Sequence, residues 1–396
     1  MQKNIITYII IIILIIIIFI YTKSNIEKFN SSLNNNLKYY GKPCEYVKND
    51  TFYDILKEND FTQTENINEA SLIVPCSYEN TESEINFFSQ ILKKNNTRIF
   101  MLDNTDQMAS KLLLWQYIVK NYGVNIASKY MPYTYSLIDS NEVEIFKKEY
   151  NKNKLYITKN NEQRQEGIKI HNSLDSILLD KNKYILVQEL LQDPYLIRGR
   201  KINLRVYCLL IKDNNNNVKI LIYNNGFMYY TPELFEKNNI SFKKNITTGY
   251  IDRKVYDENP LTHEDFRNYL DENRELSDFE KYLKINNNKI SEYIFNRIYN
   301  LLRDVLKCYI DVIGNNNLGI GFQLYGADIA INNKLQPMLM EINKGPDLTA
   351  KDERDKKLKK NLSRDILKSV GLLEDKNNNF IKVYQRVNIN NILYEI

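Results

Sequence analysis

Histidine is almost absent from this chain of 396 residues. It occurs only at His171 and His263, which argues against a multi-histidine zinc site and against acid-base chemistry that needs several histidines. The four cysteines include no CxxC pair and are too sparse for a disulfide framework, so a reducing compartment fits them best. The P-loop pattern GxxxxGK(S/T) is also absent, and any phosphate site must therefore be built from other elements.

A dense basic block is missing as well. The 54 Lys and Arg residues against 49 Asp and Glu give a net charge of +5 that is spread along the chain, which does not favour a nucleic-acid partner. A content of 43% hydrophobic and 26% charged residues is typical of a globular protein and excludes a disordered, collagen-like or polytopic membrane chain. At ~100–200 residues per domain, the length predicts two or three folded units.

The longest apolar run lies near the start of the chain. Residues 5–21 are apolar except for Thr7, and Lys3 and Lys23 flank them. A helix of this length measures roughly 26 Å, near the lower limit for crossing a bilayer. A cleavable signal peptide is the alternative, but no small-x-small cleavage site follows Tyr21. We therefore expect a retained single-pass helix, whose flanking charges nearly balance and do not decide its orientation.

The rest of the chain alternates between helical and strand patterns, which predicts an α+β fold. Helices are predicted over 52–57, 108–122 and much of 262–311, with a capping-box pattern at Thr262 and Asp265, and an amphipathic helix carries Leu358, Leu362, Ile366 and Val370. Strands are predicted over 70–75, 154–158, 184–190, 202–211 and 219–223. A late hairpin is predicted from 320–331 and 338–342.

The late hairpin carries the sharpest local signal for chemistry. Strand alternation separates Asp328 from its apolar neighbours and puts Glu341 and Asn343 on one face. Two carboxylates and an amide oxygen brought together by a turn form a hard oxygen site that suits Mg²⁺. The alternative is a set of polar residues on an exposed sheet face, against which the apolar run before Glu341 and the abrupt turn after Asn343 both weigh.

A row of polar residues marks a second strand. Lys201, Asn203 and Arg205 alternate with apolar residues, so their side chains project from one side of the strand. Lysine and arginine there suit phosphate or acyl-phosphate oxygens. An outward-facing solvated strand would have the same pattern.

Two weaker signals lie just upstream. Lys159 ends a strand and precedes a polar loop over 160–168 that could close over phosphates as a flap, although a lone loop lysine is more often simply solvated. Residues 186–191 end another strand, where backbone groups could bind an adenine edge, or which could be an ordinary buried strand.

Taken in order, these motifs resemble the tubulin–tyrosine ligase family, including its polyglutamylase and polyglycylase branches. The similarity runs from about residue 52 to residue 373. Its most specific stretches are VQELL with PYLIRGRKINLR over 187–205 and FQLYGAD with PMLMEIN over 322–343. Lys111 in Ser110-Lys111-Leu112 and the segment MPYTY at 131–135 match weaker family features.

The resemblance implies an ATP-grasp fold and a division of the chain. The expected parts are a transmembrane anchor (1–24), a small N-terminal α/β domain (25–105), a central ATP-grasp subdomain (106–200), a C-terminal ATP-grasp subdomain with the Mg²⁺ site (201–375) and a C-terminal tail (376–396).

The resemblance also implies roles for individual residues. Lys111, Lys159 and Lys201 would contact ATP phosphates, and Arg205 would steady the γ-phosphate or an acyl phosphate formed from it. The implied adenine hinge is Gln188, Glu189, Leu190 and Leu191. Asn203 and Thr247 would complete the nucleotide site, and Asp328, Glu341 and Asn343 would bind Mg²⁺.

The chain departs from the family at several of these places. An arginine expected after Tyr223 and another expected near Tyr229 are missing, and Asn203 stands where the family normally has aspartate. The family's His-Leu-Thr-Asn segment is Asn245-Ile246-Thr247-Thr248 here. Arg253 or Lys254 are candidate replacements for the arginines, which in the family help to hold reacting carboxylates.

The resemblance implies an ATP- and Mg²⁺-dependent carboxylate–amine ligase. It would add free glutamate, glycine or tyrosine to a protein acceptor such as the acidic tubulin tail, which basic faces near 198–201 and 356–360 would meet. Since ATP is cytosolic, the body after residue 24 would face the cytosol from a membrane anchor. The alternatives are a nucleotide-binding scaffold without transfer activity, suggested by the missing arginines, and an ATP-grasp ligase with a non-tubulin acceptor.

Overall fold

The computed structural model describes residues 37–41, 51–75, 96–161, 167–272, 275–285, 289–314, 319–389 and 392–396. The predicted anchor and residues 162–166 of the predicted flap lie outside these ranges. Within them, no helix combines the length and apolar character needed to span a bilayer.

Strands and helices alternate along the described chain. The strands are β1 (Lys38–Tyr40), β2 (Thr62–Gln63), β3 (Leu72–Ile73), β4 (Arg98–Ile99), β5 (Thr134–Ser136), β6 (Tyr156–Lys159), β7 (Ile168–His171), β8 (Leu186–Glu189), β9 (Leu196–Ile197), β10 (Arg200–Lys212), β11 (Val218–Tyr230), β12 (Ile320–Ile331), β13 (Pro337–Lys344), β14 (Phe380–Ile389) and β15 (Ile392–Glu395). The helices are α1 (Thr51–Glu58), α2 (Asp106–Ala109), α3 (Lys111–Tyr122), α4 (Val124–Tyr130), α5 (Ser140–Glu149), α6 (Leu174–Asp180), α7 (Phe242–Asn245), α8 (Val255–Glu258), α9 (His263–Asp271), α10 (Asp278–Ile285), α11 (Ile290–Lys307) and α12 (Glu353–Ser369).

A large mixed sheet forms the body of the described fold. Its strand order is β15-β14-β11-β10-β12-β4-β3-β1-β2, with β13 paired to β12 and β9 to β10. The central strands β10 and β12 are buried along most of their length, which explains the nearly continuous apolar run at their ends. The chain is a mixed α/β protein, consistent with the ATP-grasp architecture implied by the resemblance.

Helices cover both faces of this sheet. The ammonium of Lys359 on α12 lies 5.5 Å from the ring of Phe227, which pairs with Arg205, so α12 lies on the face that carries Arg205. His263, at the start of α9, lies against Gly226 on the opposite face, and α11 packs there as well. The predicted capping box at Thr262 and Asp265 is confirmed and begins α9.

Both ends of the large sheet extend beyond its central strands. The parallel strands β1 to β4 join it where β4 pairs with β12. At the other end, β14 pairs antiparallel with β11 and buries Tyr384 and Arg386. The sequence predicts only a C-terminal tail over 376–396, so β14 and β15 are a difference from the expected organisation.

A separate sheet, ordered β5-β8-β6-β7, is antiparallel throughout. The side chains of Tyr135, Phe146, Tyr156, Ile177 and Val187 form its core with α5 and α6.

Most predicted elements are confirmed with small shifts of their ends, and the largest difference is β11. The predicted strand ended at Tyr223, before the turn-like Asn224-Asn225-Gly226, whereas β11 continues to Tyr230. Gly226 permits this pairing because a Cβ there would lie 2.2 Å from the carbonyl oxygen of Arg205.

Candidate active site

Four charged groups from the two sheets and one helix lie within interaction distance of one another, and we call the region between them the cleft. Lys159 ends β6 of the small sheet, Lys201 is the second residue of β10 of the large sheet, and Glu341 lies on β13. Lys111, the first residue of α3, and Lys159 both interact electrostatically with Glu341, and Lys159 interacts with Lys201. The cleft therefore combines three cations with a carboxylate, all on regular secondary structure.

Lys201 is buried, with 5% of its surface exposed. Its ammonium donates to the carbonyl oxygen of Leu191 at 3.4 Å. Burial, with Lys159 adding repulsion, lowers the pKa of Lys201 to about 7. The alternative of a solvated strand face is therefore wrong for this lysine.

Arg205 forms a two-point ion pair with Asp328. Its Nε and Nη2 donate to the two carboxylate oxygens at 2.6 and 3.1 Å. Burial works to lower the pKa of Arg205, but the Asp328 carboxylate outweighs it and holds that pKa well above its usual value. Gly326 leaves room for the guanidinium, since a Cβ there would lie 2.8 Å from Cδ of Arg205.

The two predicted metal carboxylates face each other across the late hairpin. Asp328 pairs with Glu341 in the β12–β13 register, and Asn343 lies opposite Gly326 on the same side. Burial, partly opposed by Arg205, raises the pKa of Asp328 to about 6. Burial also disfavours charge on Glu341, but Lys111 and Lys159 outweigh it and lower the pKa of Glu341.

These oxygen groups fit a divalent cation. The amide nitrogen of Asn343 donates to Glu341 Oε1 at 3.1 Å, which leaves the amide oxygen of Asn343 to accept a ligand. A set of two carboxylates and one amide oxygen is hard and small, as Mg²⁺ requires when substrate phosphates complete its shell. In the described part of the chain, no larger cluster of three or more His, Cys, Asp or Glu residues is arranged to bind a metal.

The predicted hinge comprises the last two residues of β8 and the two residues after it, and each of the four makes a contact within the protein. Glu189 forms an ion pair with Lys154 at 2.6 Å, and Leu190 packs in an apolar cluster. The carbonyl of Leu191 accepts from Lys201. Gln188 is turned inward, where its Oε1 accepts from Lys159 at 2.7 Å.

The remaining predicted residues line the same region. Asn203 lies between Lys201 and Arg205 on β10, and its buried Oδ1 has no hydrogen-bond partner among the described atoms. Thr247 follows Ile246, which packs against the apolar cluster of the small sheet. The backbone N–H of Lys111 donates to Asn161 at 3.2 Å, close to the predicted flap.

The sequence profile of the tubulin-tyrosine ligase family matches residues 64–379. The chain belongs to the tubulin-tyrosine ligase family.

The similar curated proteins modify tubulin. A probable tubulin polyglutamylase TTLL9 of Rattus norvegicus is 30% identical over 188 residues, which cover 47% of this chain and 38% of that protein. The tubulin polyglutamylase TTLL7 of Mus musculus is 23% identical over 356 residues, covering 83% of this chain and 37% of that protein. Tubulin glycylase 3B of Drosophila melanogaster is 26% identical over 198 residues, covering 48% and 25%. The chain thus spans well under half the length of these relatives.

This chain lacks two arginines that are typical of the tubulin-tyrosine ligase family. In that region an aromatic ring lies beside Arg205. Tyr229, which the sequence analysis did not select, lies opposite Asn203, and its ring is 5.1 Å from the Arg205 guanidinium. Arg253, one candidate replacement, pairs with Asp352. The pairing of β11 with β10 places Tyr229 beside Arg205. Because the predicted strand ended at Tyr223, the sequence did not indicate this residue.

Several residues of the two basic faces suggested for an acceptor make contacts within the protein. Arg198 donates to the carbonyl of Glu258. In the second face, Lys359 pairs with Asp355 at 3.1 Å, and Lys360 pairs with Glu58 at 2.6 Å. The two ion pairs reduce the charge that the second face can offer a partner.

Proposed function

We propose that the chain is an ATP- and Mg²⁺-dependent ligase that joins the amine of glutamate, glycine or tyrosine to a carboxylate of tubulin or another protein. The observation that carries this proposal is the convergence of Lys159, Lys201, Arg205, Asp328 and Glu341 from two sheets on one cleft. Membership of the tubulin-tyrosine ligase family and the names of the relatives support the same chemistry.

The lysines would bind the nucleotide as substrate. Lys159 comes from the small sheet and Lys201 from the large one, and the two ammonium groups interact, so together they can hold phosphate oxygens. Lys111 adds a third cation beside Glu341. Backbone groups at 188–191 would contact the adenine. Asn203 on β10 and Thr247, whose neighbour Ile246 packs against the small sheet, would complete the nucleotide site.

Asp328, Glu341 and Asn343 would hold Mg²⁺. The ion would neutralise phosphate charge during transfer. Arg205 already pairs with Asp328, so its guanidinium is oriented before substrate binds and is positioned to stabilise charge on a transferred phosphoryl group.

In the proposed reaction the acceptor carboxylate attacks the γ-phosphate and ADP leaves. An amino-acid amine then attacks the acyl carbon, and phosphate leaves with one oxygen of the acceptor. Positioning and charge supply most of the acceleration in such a reaction, and a histidine base is not needed.

The test is to incubate the full-length chain with Mg·ATP, tubulin and each isotope-labelled amino acid, and to measure intact and peptide masses of the tubulin. Addition of one amino acid in an ATP- and Mg²⁺-dependent reaction supports the proposal. Mg·ATP binding without incorporation into any acceptor would favour the scaffold, which the missing arginines suggest. Incorporation into another protein but not tubulin would favour the non-tubulin acceptor.

We further propose that residues 5–21 anchor the chain in a membrane with the body facing the cytosol. ATP and a reducing pool lie on that side, and Cys208 and Cys308 are free thiols. The N-x-(S/T) tripeptides at Asn239 and Asn245 should then stay unmodified in eukaryotic cells. Glycan on either asparagine, with protection of the body from protease added on the cytosolic side, would place the body in a lumen.

A further inference from the structure

Gln188 is a buried polar residue whose side chain links two parts of the small sheet. It is 2% exposed, and its Oε1 accepts a hydrogen bond from the Lys159 ammonium at 2.7 Å. Its Nε2 donates to Thr134 Oγ1 at 2.8 Å and to the carbonyl of Pro132 at 3.3 Å. Each polar atom of the Gln188 amide therefore has a partner.

The network permits one orientation of this amide. The Thr134 hydroxyl donates its proton to the carbonyl of Pro132 at 2.9 Å, so both groups on that side accept hydrogen bonds from Gln188. Only the amide nitrogen can satisfy them, which leaves the amide oxygen for Lys159. Pro132, before β5, and Thr134, on β5, thus fix the orientation of the Gln188 amide, with its oxygen toward Lys159.

The hydrogen-bond partner of the Lys159 ammonium is a neutral amide, so the lysine keeps its positive charge. Glutamine binds an ammonium without cancelling its charge, whereas a carboxylate in its place would neutralise the lysine. The other charged groups that act on Lys159 come from β13 (Glu341), α3 (Lys111) and β10 (Lys201). Among the described residues the Lys159 ammonium donates only to Gln188, and its remaining N–H groups can bind an anion.

We infer that Gln188 is a positioning residue that holds the Lys159 ammonium in the cleft as a charged phosphate ligand. Gln188 then contributes to the nucleotide site by holding Lys159, and its side chain does not itself contact the nucleotide. The role of Lys159 toward phosphate rests on the proposed function, whereas the hold of Gln188 on the ammonium does not.

The test compares Gln188→Met, Gln188→Glu and a matched control, Ser136→Ala on β5, in the full-length chain. Competitive labelling with trace acetic anhydride and mass spectrometry follows the titration of Lys159 without nucleotide. Because one partner of the ammonium is lost or made anionic, we expect the Lys159 midpoint to fall by about one pH unit in Gln188→Met and to rise by about one in Gln188→Glu. Ser136→Ala removes a buried hydroxyl from the same strand, one that accepts from the backbone N–H groups of Ile138 and Asp139 and not from Gln188, so it should leave the midpoint near the wild-type value.

Calorimetry of Mg·ATP binding supplies the second readout. Gln188→Met should weaken binding about tenfold at pH 8 and less at pH 6, where Lys159 is charged in every variant. Equal Lys159 midpoints in all variants, with only a loss of thermal stability, would overturn the inference. Opposite midpoint shifts in a protein that binds no Mg·ATP would keep the hold of Gln188 on Lys159 and reject the proposed function.

Discussion

Two buried ammonium groups give the cleft a charge that depends on pH. Burial lowers the pKa of Lys159 to about 8 and that of Lys201 to about 7, from the ordinary lysine value of 10.5. The free folded protein therefore loses positive charge in the cleft as pH rises through 7 to 8. The unfolded chain, whose lysines keep ordinary pKa values, still binds those protons.

Mg·ATP affinity should fall as pH rises from 7 to 9. Binding at pH 8 should take up protons, because the phosphate oxygens favour the charged form of the lysines. The free energy of unfolding of the free protein should rise over the same pH range, because the unfolded state binds more protons than the folded state. Calorimetry in buffers of different ionisation enthalpy measures the uptake. Lys201→Met should reduce it, and pH-independent affinity without proton uptake would contradict the assignment.

Glu341→Gln should abolish Mg²⁺-dependent activity while the protein stays folded. The substitution keeps the shape of the side chain but removes a charge that faces Asp328 and the cleft lysines. Turnover against Mg²⁺ concentration measures the effect. The control is Glu58→Gln, at a residue that pairs with Lys360 on the surface, and it should leave the Mg²⁺ dependence of turnover unchanged. A normal Mg²⁺ dependence for Glu341→Gln would mean that Glu341 is not a metal ligand.

Arg205 and Asp328 should be coupled in stability as well as in function. Arg205→Met leaves a buried carboxylate without its partner, which we expect to cost about 3 kcal/mol in the free energy of unfolding. Adding Asp328→Asn should restore most of that stability but no activity, as urea unfolding and turnover assays would show. Additive stability losses in the double variant would mean that the pair is not coupled.

At the scale of elements, strand pairing determines which side chains meet. The sequence predicted the hairpin of β12 and β13 and the row on β10, because alternation and turn residues are local signals. It could not predict that Tyr229 lies opposite Asn203, since that depends on β11 passing through Gly226. Nor could it predict the inward turn of Gln188, which depends on the pairing of β8 with β5 and β6.

The last two strands extend the fold beyond the family match, which ends at residue 379. A chain truncated after residue 379 loses β14, which pairs with β11 and buries Tyr384. Its free energy of unfolding should fall by at least about 2 kcal/mol, because the buried contacts of one large side chain are lost and the apolar residues that it covered become exposed. Removing only 392–396, whose residues are exposed, is the control and should change stability much less. Equal stability of both truncations in urea would contradict this role for β14.

At the scale of the whole molecule, the site exists only where the two sheets meet. Lys159 comes from the small sheet, while Lys201, Arg205, Asp328 and Glu341 come from the large one. Each motif alone could also be explained as an ordinary strand, sheet face or loop without a functional role. The order of the motifs indicated the family. Their convergence depends on tertiary packing, which no single motif encodes.

The most direct test of the central claim follows one oxygen atom through the reaction. An acidic acceptor peptide with ¹⁸O in its glutamate side-chain carboxylates is incubated with the full-length chain, Mg·ATP and an amino acid, and the mass of the released phosphate is measured. The acyl-phosphate route predicts one ¹⁸O in phosphate for each new amide bond. Amide product accompanied by unlabelled phosphate, or ATP consumed without any product, would contradict it.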